Sequence, residues 1–194
     1  MKYLVDIDGV LNLFPCYIFY RLGHAIDYKD YPVECGWDIV AAFNKVSGQN
    51  WSATKFWTSI TRDMWENLIP SGICNLLLNK LEQIADRKSI CLLTSPTLDP
   101  EAAAGKMVWI REKLPAWLHR QFLIGPAKEF CAHPGAVLID DSDQNIEKFV
   151  AAGGRGILVP RPWNTLHSVP TWKHVSEKLE EINANRVVLL PGEC

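Results

Sequence analysis

The sequence predicts an α/β protein in which a parallel sheet carries helices on both faces and a small helical cap follows the first strand. Three observations support this fold class. Five short apolar segments recur along the 194 residues, and helix-like patterns lie between several of them. A long aromatic stretch without strand signals separates the first apolar segment from the others. Strands that alternate with helices are typical of parallel sheets in α/β proteins.

The five apolar segments are continuous runs and do not alternate between apolar and polar residues. Continuous runs of this kind are typical of strands that are buried on both faces. We therefore expect all five to lie in one parallel sheet. The segments are Tyr3–Val5, Ile90–Leu93, Phe122–Ile124, Ala136–Ile139 and Gly156–Val159.

Helix signals occupy the gaps between these strands. Apolar residues from Leu76 to Ile84 recur at helical spacing before the second strand. Asp99 followed by Pro100 and an acidic residue is a strong helix start, and Pro115 limits that helix. A further helix begins at Asp143 and ends near Gly153. The alternation predicts a doubly wound, Rossmann-like sheet.

The stretch from residue 14 to residue 70 interrupts this alternation. It contains Trp37, Trp51, Trp57 and Trp65, and a loop of this length inside a compact domain needs a structure of its own. We interpret residues 14–70 as a small helical cap over the carboxyl ends of the strands. Residues 1–13 and 71–194 then form the core domain.

Composition places limits on the class of protein. Hydrophobic residues make up 48% and charged residues 22%, as in ordinary soluble proteins, and the net charge of −2 argues against a nucleic-acid polymer as partner. The six cysteines contain no CxxC pair and suit a reducing cytosol. The acidic N-terminus disfavours a signal peptide, and the apolar run Val10–Tyr20 is too short to span a membrane. We expect a cytoplasmic protein without a membrane partner, and we leave open whether it forms a homodimer.

Polar side chains follow four of the predicted strands where each strand ends. Because the carboxyl ends of parallel strands meet at one edge of a sheet, we expect these side chains to converge. One acidic pair alone would fit a solvated turn equally well, but several acids, a lysine and two hydroxyls together call for a bound cation. An oxygen-rich acidic cluster suits Mg²⁺. The residues are Asp6, Asp8, Thr94, Ser95, Lys128, Asp140 and Asp141.

The order of these motifs resembles the haloacid dehalogenase-like phosphatase superfamily, and the motifs span residues 6–141. The resemblance implies that Asp6 attacks phosphorus and becomes an aspartyl-phosphate. Asp8 would protonate the leaving oxygen and later activate water. Thr94 and Lys128 would neutralise the phosphoryl oxygens. The substrate would be a small-molecule phosphate monoester.

The same resemblance implies a Mg²⁺ site formed by Asp6, the backbone carbonyl of Asp8, and Asp141. Asp140 and Asn145 would support the site from nearby. On chemistry alone both acids of the last motif are plausible ligands, and only the resemblance favours Asp141.

A narrower resemblance points to the 5′(3′)-deoxyribonucleotidases. It rests on Asp-Gly-Val-Leu followed closely by Phe14, on the insertion after the first motif, on Leu-Leu-Thr-Ser-Pro96, and on the stretch 105–114. It implies that Ser95 and Lys106 help to hold phosphate. It also implies that cap aromatics stack on the base, and the candidates are Phe14, Trp37 and Trp57. Two stretches, Asn12-Leu13 and residues 125–127, depart from the family pattern.

Two alternatives stay open at this point. A phosphatase for another small ester, such as a sugar phosphate, would share every motif because specificity lies in the cap. A phospho-accepting signalling domain without turnover also combines acids, a hydroxyl and a lysine. In that class the accepting aspartate ends a middle strand, where this chain has Thr94, and no long insertion follows the first strand.

Overall fold

The structure, a computed structural model, describes residues 1–187 and contains one five-stranded sheet in which every pair of neighbouring strands is parallel. The spatial order of the strands is β3-β2-β1-β4-β5. All five predicted strands are confirmed, with ends shifted by at most a residue. Their bounds are β1 Lys2–Val5, β2 Ile90–Thr94, β3 Phe122–Ile124, β4 Ala136–Asp140 and β5 Arg155–Leu158.

Eight α-helices connect and cover the strands of the described chain. The predicted start of the helix at residue 100 is confirmed, because the Asp99 side chain accepts a hydrogen bond from the Glu101 amide at 2.9 Å. No helix within residues 1–187 has the length and apolarity needed to cross a bilayer. The helices are α1 Cys16–Arg21, α2 Ile39–Ser47, α3 Ala53–Thr58, α4 Arg62–Glu66, α5 Cys74–Ile84, α6 Pro100–Lys113, α7 Asp143–Ala151 and α8 Thr171–Val187.

Both faces of the sheet are covered, as the continuous apolar strands predict. Tyr3 and Val5 of β1 lie in a large hydrophobic core that includes residues of α5, α6 and α8. Leu4 points to the opposite face, where it belongs to a smaller cluster with Phe149 of α7. The alternation of side chains along a strand accounts for this division.

The first strand lies in the centre of the sheet, between β2 and β4. The chain moves outwards from β1 first on one side and then on the other, so the strand order reverses there. Ligands of open α/β sheets bind in the crevice at such a reversal, beyond the carboxyl ends of the strands. Asp6 is the first residue after β1 and therefore lies at this crevice.

The insertion between β1 and α5 is helical and contains α1 to α4. Its two ends lie side by side, because the Leu13 amide donates to the Ile69 carbonyl at 2.9 Å and the Ser71 amide donates to the Leu11 carbonyl at 2.8 Å. Trp109 of α6 donates its indole N–H to the Leu68 carbonyl at 2.6 Å and so ties the insertion to the sheet domain. The division into a core of residues 1–13 and 71–194 and a cap of residues 14–70 remains a prediction.

The cysteines of the described chain are free thiols. Cys16 and Cys74 are buried, whereas Cys35, Cys91 and Cys131 are partly exposed. Cys194 lies outside the described residues.

Candidate active site

Charged side chains meet at the carboxyl edge of the sheet. Lys128 follows β3, and its ammonium donates to Asp6 Oδ1 at 2.6 Å and to Asp140 Oδ2 at 2.6 Å. All three side chains are buried. A buried lysine that neutralises two carboxylates is stable as an ion, and these two charges raise the pKa of Lys128 above its usual range against the opposing effect of burial.

Both carboxylate oxygens of Asp140 accept hydrogen bonds from protein donors. Its Oδ1 accepts the Ser142 amide at 2.9 Å and the Asn145 side-chain amide at 3.1 Å. Its Oδ2 accepts Lys128 at 2.6 Å and Asn145 at 3.2 Å. Asn145 therefore contacts Asp140 through both carboxylate oxygens, and this carboxylate positions Lys128.

Asp141 is different, because only one of its oxygens has a protein partner. Oδ2 accepts the indole N–H of Trp163 at 2.8 Å, whereas Oδ1 is buried and has no hydrogen-bond partner among residues 1–187. Burial raises the pKa of Asp141 well above its usual range, and the nearby charges of Asp140 and Asp6 raise it further. Gly9, at a φ of 72°, lies so close that any Cβ there would overlap Asp141 Oδ2.

The three acids form a plausible cation site. Asp6, Asp140 and Asp141 present carboxylate oxygens that all lie within 4.8 Å of one another. Burial raises the pKa of Asp6 to about 7, although Lys128 acts in the opposite direction. The donor set consists of oxygen only, and the unpartnered Asp141 Oδ1 is a buried acceptor without a donor. Both features fit a hard cation such as Mg²⁺.

Asp8 is held at both oxygens, at Oδ1 by the nearby Asn12 and at Oδ2 by Lys106 from a distant part of the chain. Lys106 of α6 donates to Asp8 Oδ2, to the Ser95 carbonyl, and to Thr94 Oγ1 at 3.1 Å. The Lys106 ammonium also lies 5.1 Å from the centre of the Trp65 ring, at a distance suited to a cation–π contact. The structure thus brings Asp8, Thr94 and Lys106 together, while the Ser95 hydroxyl is directed towards the Gly125 carbonyl at 3.5 Å.

Asn12, one of the residues that depart from the family pattern, has a structural role in the loop after β1. Its side-chain oxygen accepts the Gly9 amide at 3.2 Å and the Phe14 amide at 3.1 Å. Its side-chain nitrogen donates to Asp8 Oδ1 at 2.9 Å. An amide supplies the acceptor and the donor together, so Asn12 closes the loop after β1 and orients Asp8.

The three aromatic residues expected to stack on a base do not form one group. Phe14 is 4% exposed, and its ring is nearly parallel to Trp65 at 5.6 Å and to Trp57 at 6.4 Å. Trp37 lies elsewhere, 5.8 Å from Trp163, and is 46% exposed. It lines an open groove of about 460 Å³ beside the start of α7. Base stacking by these residues stays a prediction, and Trp37 offers the most accessible ring.

Residues 160–164, which follow β5, approach the site although the sequence analysis assigned them no role. Arg161 Nε donates to the Gly9 carbonyl, and its Nη2 donates to the Val10 carbonyl at 3.3 Å. Asn164 donates to the Asp141 carbonyl at 2.9 Å. The sequence could have indicated this position, because an arginine and an asparagine shortly after the last parallel strand lie at the same edge of the sheet as the acids.

Comparison with solved structures identifies the fold. The chain is similar to a HAD family hydrolase from Deinococcus radiodurans R1, solved with bound phosphate and sodium, at 15% identity, with 98% of each chain covered and a TM-score of 0.58. It is also similar to a haloacid dehalogenase-like family hydrolase from Xanthomonas campestris at 13% identity, with 95% of this chain and 93% of that chain covered and a TM-score of 0.58. A hydrolase from Streptococcus pneumoniae TIGR4 gives 12% identity, 92% and 97% coverage, and a TM-score of 0.52. The fold is therefore that of the haloacid dehalogenase-like hydrolases.

The family follows from the sequence itself. The model described as "5' nucleotidase, deoxy (Pyrimidine), cytosolic type C protein" matches residues 2–185, and the chain belongs to this family. It is thus a haloacid dehalogenase-like enzyme, a phosphoric monoester hydrolase of the 5′-nucleotidase type. No curated protein matches the chain.

This family assignment also excludes the alternative of a signalling domain without turnover. One argument against that alternative was wrong, because the middle strand of the sheet is β1, which ends at Val5 directly before Asp6, and not the strand that ends at Thr94. The reason is that β4 pairs with β1 on its other side and makes it central. The family match, and not strand position, identifies the chain as an enzyme.

Proposed function

We propose that the protein hydrolyses the phosphate monoester of deoxyribonucleoside monophosphates with Mg²⁺ as its cofactor. The observation that carries the proposal is the cluster of Asp6, Asp140 and Asp141, whose carboxylate oxygens lie within 4.8 Å of one another and include a buried Asp141 oxygen without a hydrogen-bond partner among residues 1–187. The choice of a deoxyribonucleotide rests on the family to which the chain belongs.

Asp6 is the proposed nucleophile. Lys128 holds its Oδ1 at 2.6 Å, and no hydrogen bond to Oδ2 is seen among residues 1–187, so Oδ2 is available for attack. Attack forms a bond between this oxygen and phosphorus and breaks the ester bond to the leaving oxygen. We propose that Lys128 and Thr94 stabilise charge on the phosphoryl oxygens during this transfer.

Asp8 is the proposed general acid and base. It would give a proton to the leaving oxygen and then take one from the water that hydrolyses the aspartyl-phosphate, a contribution of about 10²–10⁴-fold. Asn12 and Lys106 each hold one of its oxygens, so its carboxyl group is oriented before substrate binds. Correct orientation of a proton donor is a large part of its efficiency.

The proposed Mg²⁺ ligands are Asp6, the backbone carbonyl of Asp8, and Asp141. Asp140 is less suitable because protein donors already occupy both of its oxygens, whereas Asp141 Oδ1 has no hydrogen-bond partner among residues 1–187. When bound, the cation would offset the charge of the three acids and of the substrate phosphate.

The nucleoside would be recognised by the cap. Trp37 presents an exposed ring in the groove beside the start of α7, and stacking on a base is worth about 1–3 kcal/mol whichever base is bound. Phe14 and Trp57 would take part if the base reaches their side of the cap. We propose further that Lys106 and Ser95 contact the phosphate, and that the substrate is a free small molecule.

A substrate panel tests the proposal. We would compare deoxyribonucleoside 5′- and 3′-monophosphates, ribonucleoside monophosphates and sugar phosphates in Mg²⁺, in Ca²⁺ and in EDTA, with the Asp6→Asn variant as the control for contaminating phosphatases. We expect the highest kcat/KM for deoxyribonucleotides in Mg²⁺. We expect little activity in Ca²⁺, which prefers about 6–8 oxygen ligands and a looser geometry. A preference for sugar phosphates would contradict the substrate, and full activity in EDTA would contradict the cofactor.

A further inference from the structure

The segment after β5, which we name the clamp segment (residues 160–164), contacts two loops that belong to different strands. One loop follows β1 and contains Asp6 and Asp8. The other follows β4 and contains Asp141. Arg161 donates to the carbonyls of the first loop, whereas Trp163 and Asn164 donate to Asp141. The clamp segment therefore joins the two sides of the proposed metal site.

Arg161 is a buried cation whose donors go to neutral oxygens. Its remaining hydrogen bonds go to the Pro160 carbonyl at 3.1 Å and to Thr171 Oγ1 at 3.4 Å. Its guanidinium also lies 5.3 Å from the centre of the Tyr28 ring. The planar guanidinium holds its N–H donors in fixed directions, and two of them bind the carbonyls of Gly9 and Val10. The loop that follows Asp8 therefore has a defined position.

Trp163 is held by aromatic residues of the insertion. Its ring is 3% exposed and lies 5.3 Å from Tyr28, 5.3 Å from Tyr31 and 5.8 Å from Trp37. Packing on several sides restricts rotation of the indole. The direction of the Nε1–H bond towards Asp141 is therefore determined by the insertion.

We propose that Trp163 is a positioning residue for the metal site. Its indole N–H holds Asp141 Oδ2 at 2.8 Å and leaves Oδ1, which has no hydrogen-bond partner among residues 1–187, as the oxygen that would bind the cation. Only a glycine at residue 9 leaves room for Asp141 to approach the nucleophile loop in this orientation. Donors that orient a metal ligand typically account for about 10–100-fold in metal affinity. The inference rests on the proposed Mg²⁺ dependence.

The test is direct calorimetry of Mg²⁺ binding to the intact, substrate-free protein. Trp163→Phe keeps an aromatic ring among its neighbours and removes only the donor and part of the ring. We expect the dissociation constant for Mg²⁺ to rise about tenfold. Tyr31→Phe is the matched control, because it removes one hydrogen bond from the same aromatic cluster, and the hydroxyl donates to the Gly36 carbonyl at 2.9 Å and not to Asp141.

A kinetic measurement separates positioning from general damage. At saturating Mg²⁺ concentration the site is fully occupied even if its affinity is lower, so kcat of Trp163→Phe should stay within about threefold of wild type. The Mg²⁺ concentration that gives the half-maximal rate should rise. If Trp163→Phe does not fold, benzothienylalanine incorporated at residue 163 keeps the indole shape without the N–H and should give the same weakened binding.

The outcomes distinguish this inference from the proposed function. Normal Mg²⁺ affinity in a folded Trp163→Phe or benzothienylalanine protein would overturn the inference, and so would equal weakening in Tyr31→Phe. Failure of both residue-163 variants to fold would show that Trp163 acts in folding and would also overturn it. Absence of Mg²⁺ binding by the wild-type protein would instead contradict the proposed cofactor.

Discussion

Asp141 is buried, and one of its oxygens has no hydrogen-bond partner among residues 1–187. These two features suit it to bind a cation, and they destabilise the protein when no cation is bound. Asp141→Asn keeps the shape of the side chain and an oxygen acceptor for the Trp163 N–H. It removes a buried negative charge that has only one hydrogen-bonded oxygen. We expect the variant to be more stable than wild type in EDTA and less stable in saturating Mg²⁺.

The expected magnitude follows from burial and from the direction of the pKa shift. An unsatisfied, buried polar group costs about 1–3 kcal/mol, and more when it is charged. For a chain of this size each kcal/mol shifts Tm by about 2–4 °C, so the variant should gain about 5 °C in EDTA. The raised pKa of Asp141 means that the folded state binds its proton more tightly than the unfolded state does. Wild-type stability therefore falls as pH rises towards the folded pKa, and the gain should be larger at pH 8 than at pH 5.

The assay is thermal unfolding of wild type and variant at both pH values, in EDTA and across a Mg²⁺ titration. Wild type should gain about 2.7 kcal/mol when Mg²⁺ exceeds its dissociation constant about 100-fold, and Asp141→Asn should gain much less. The order of the two Tm values should therefore reverse.

Asp140→Asn is the matched control. It weakens the buried contact with Lys128, so we expect about 3–5 kcal/mol of destabilisation with or without Mg²⁺. The reasoning would be refuted if Asp141→Asn were less stable than wild type in EDTA at pH 8. It would also be refuted if both variants changed stability in the same direction under every condition.

Three further changes test other parts of the site. Asp6→Asn should abolish turnover without unfolding the protein, because it removes the attacking carboxylate; activity near that of wild type would rule out Asp6 as nucleophile. Phe14→Leu should lower kcat/KM for a deoxyribonucleotide by the equivalent of about 1–3 kcal/mol and affect para-nitrophenyl phosphate much less if a base stacks there. Equal losses on both substrates would mean that Phe14 only packs. Gly105→Ala places a Cβ 2.6 Å from Trp65 Cβ, so it should cost about 1–3 kcal/mol in the free energy of unfolding, whereas Gly72→Ala, which meets open space, should not; similar Tm values for the two variants would contradict tight packing of α4 on α6.

The strands and their order of appearance could be predicted from the sequence because their signals are local. A strand buried on both faces needs a continuous apolar run, and residues 136–139 form such a run. The start of α6 was equally clear, since Asp99 and Pro100 act within one turn. The C-terminal helix α8 was not predicted, although the structure forms it over Thr171–Val187.

The convergence of the acids was also predictable, since it depends only on parallel strands sharing an edge. The sequence could not predict which of Asp140 and Asp141 keeps an oxygen without a protein partner, because the two residues are adjacent and chemically identical. The difference lies in their neighbours: Lys128 and Asn145 reach Asp140, whereas Trp163 reaches one oxygen of Asp141.

The sequence by itself thus determined the fold class, the edge that carries the site, and the residue types present there. Tertiary structure alone decided the orientation of each side chain, as the burial of Phe14 and the contact between Arg161 and Gly9 show. That contact joins residues 152 positions apart. Local patterns cannot encode such pairs, because the hydrogen bonds that orient a buried carboxylate come from whichever distant segments the packed fold brings beside it.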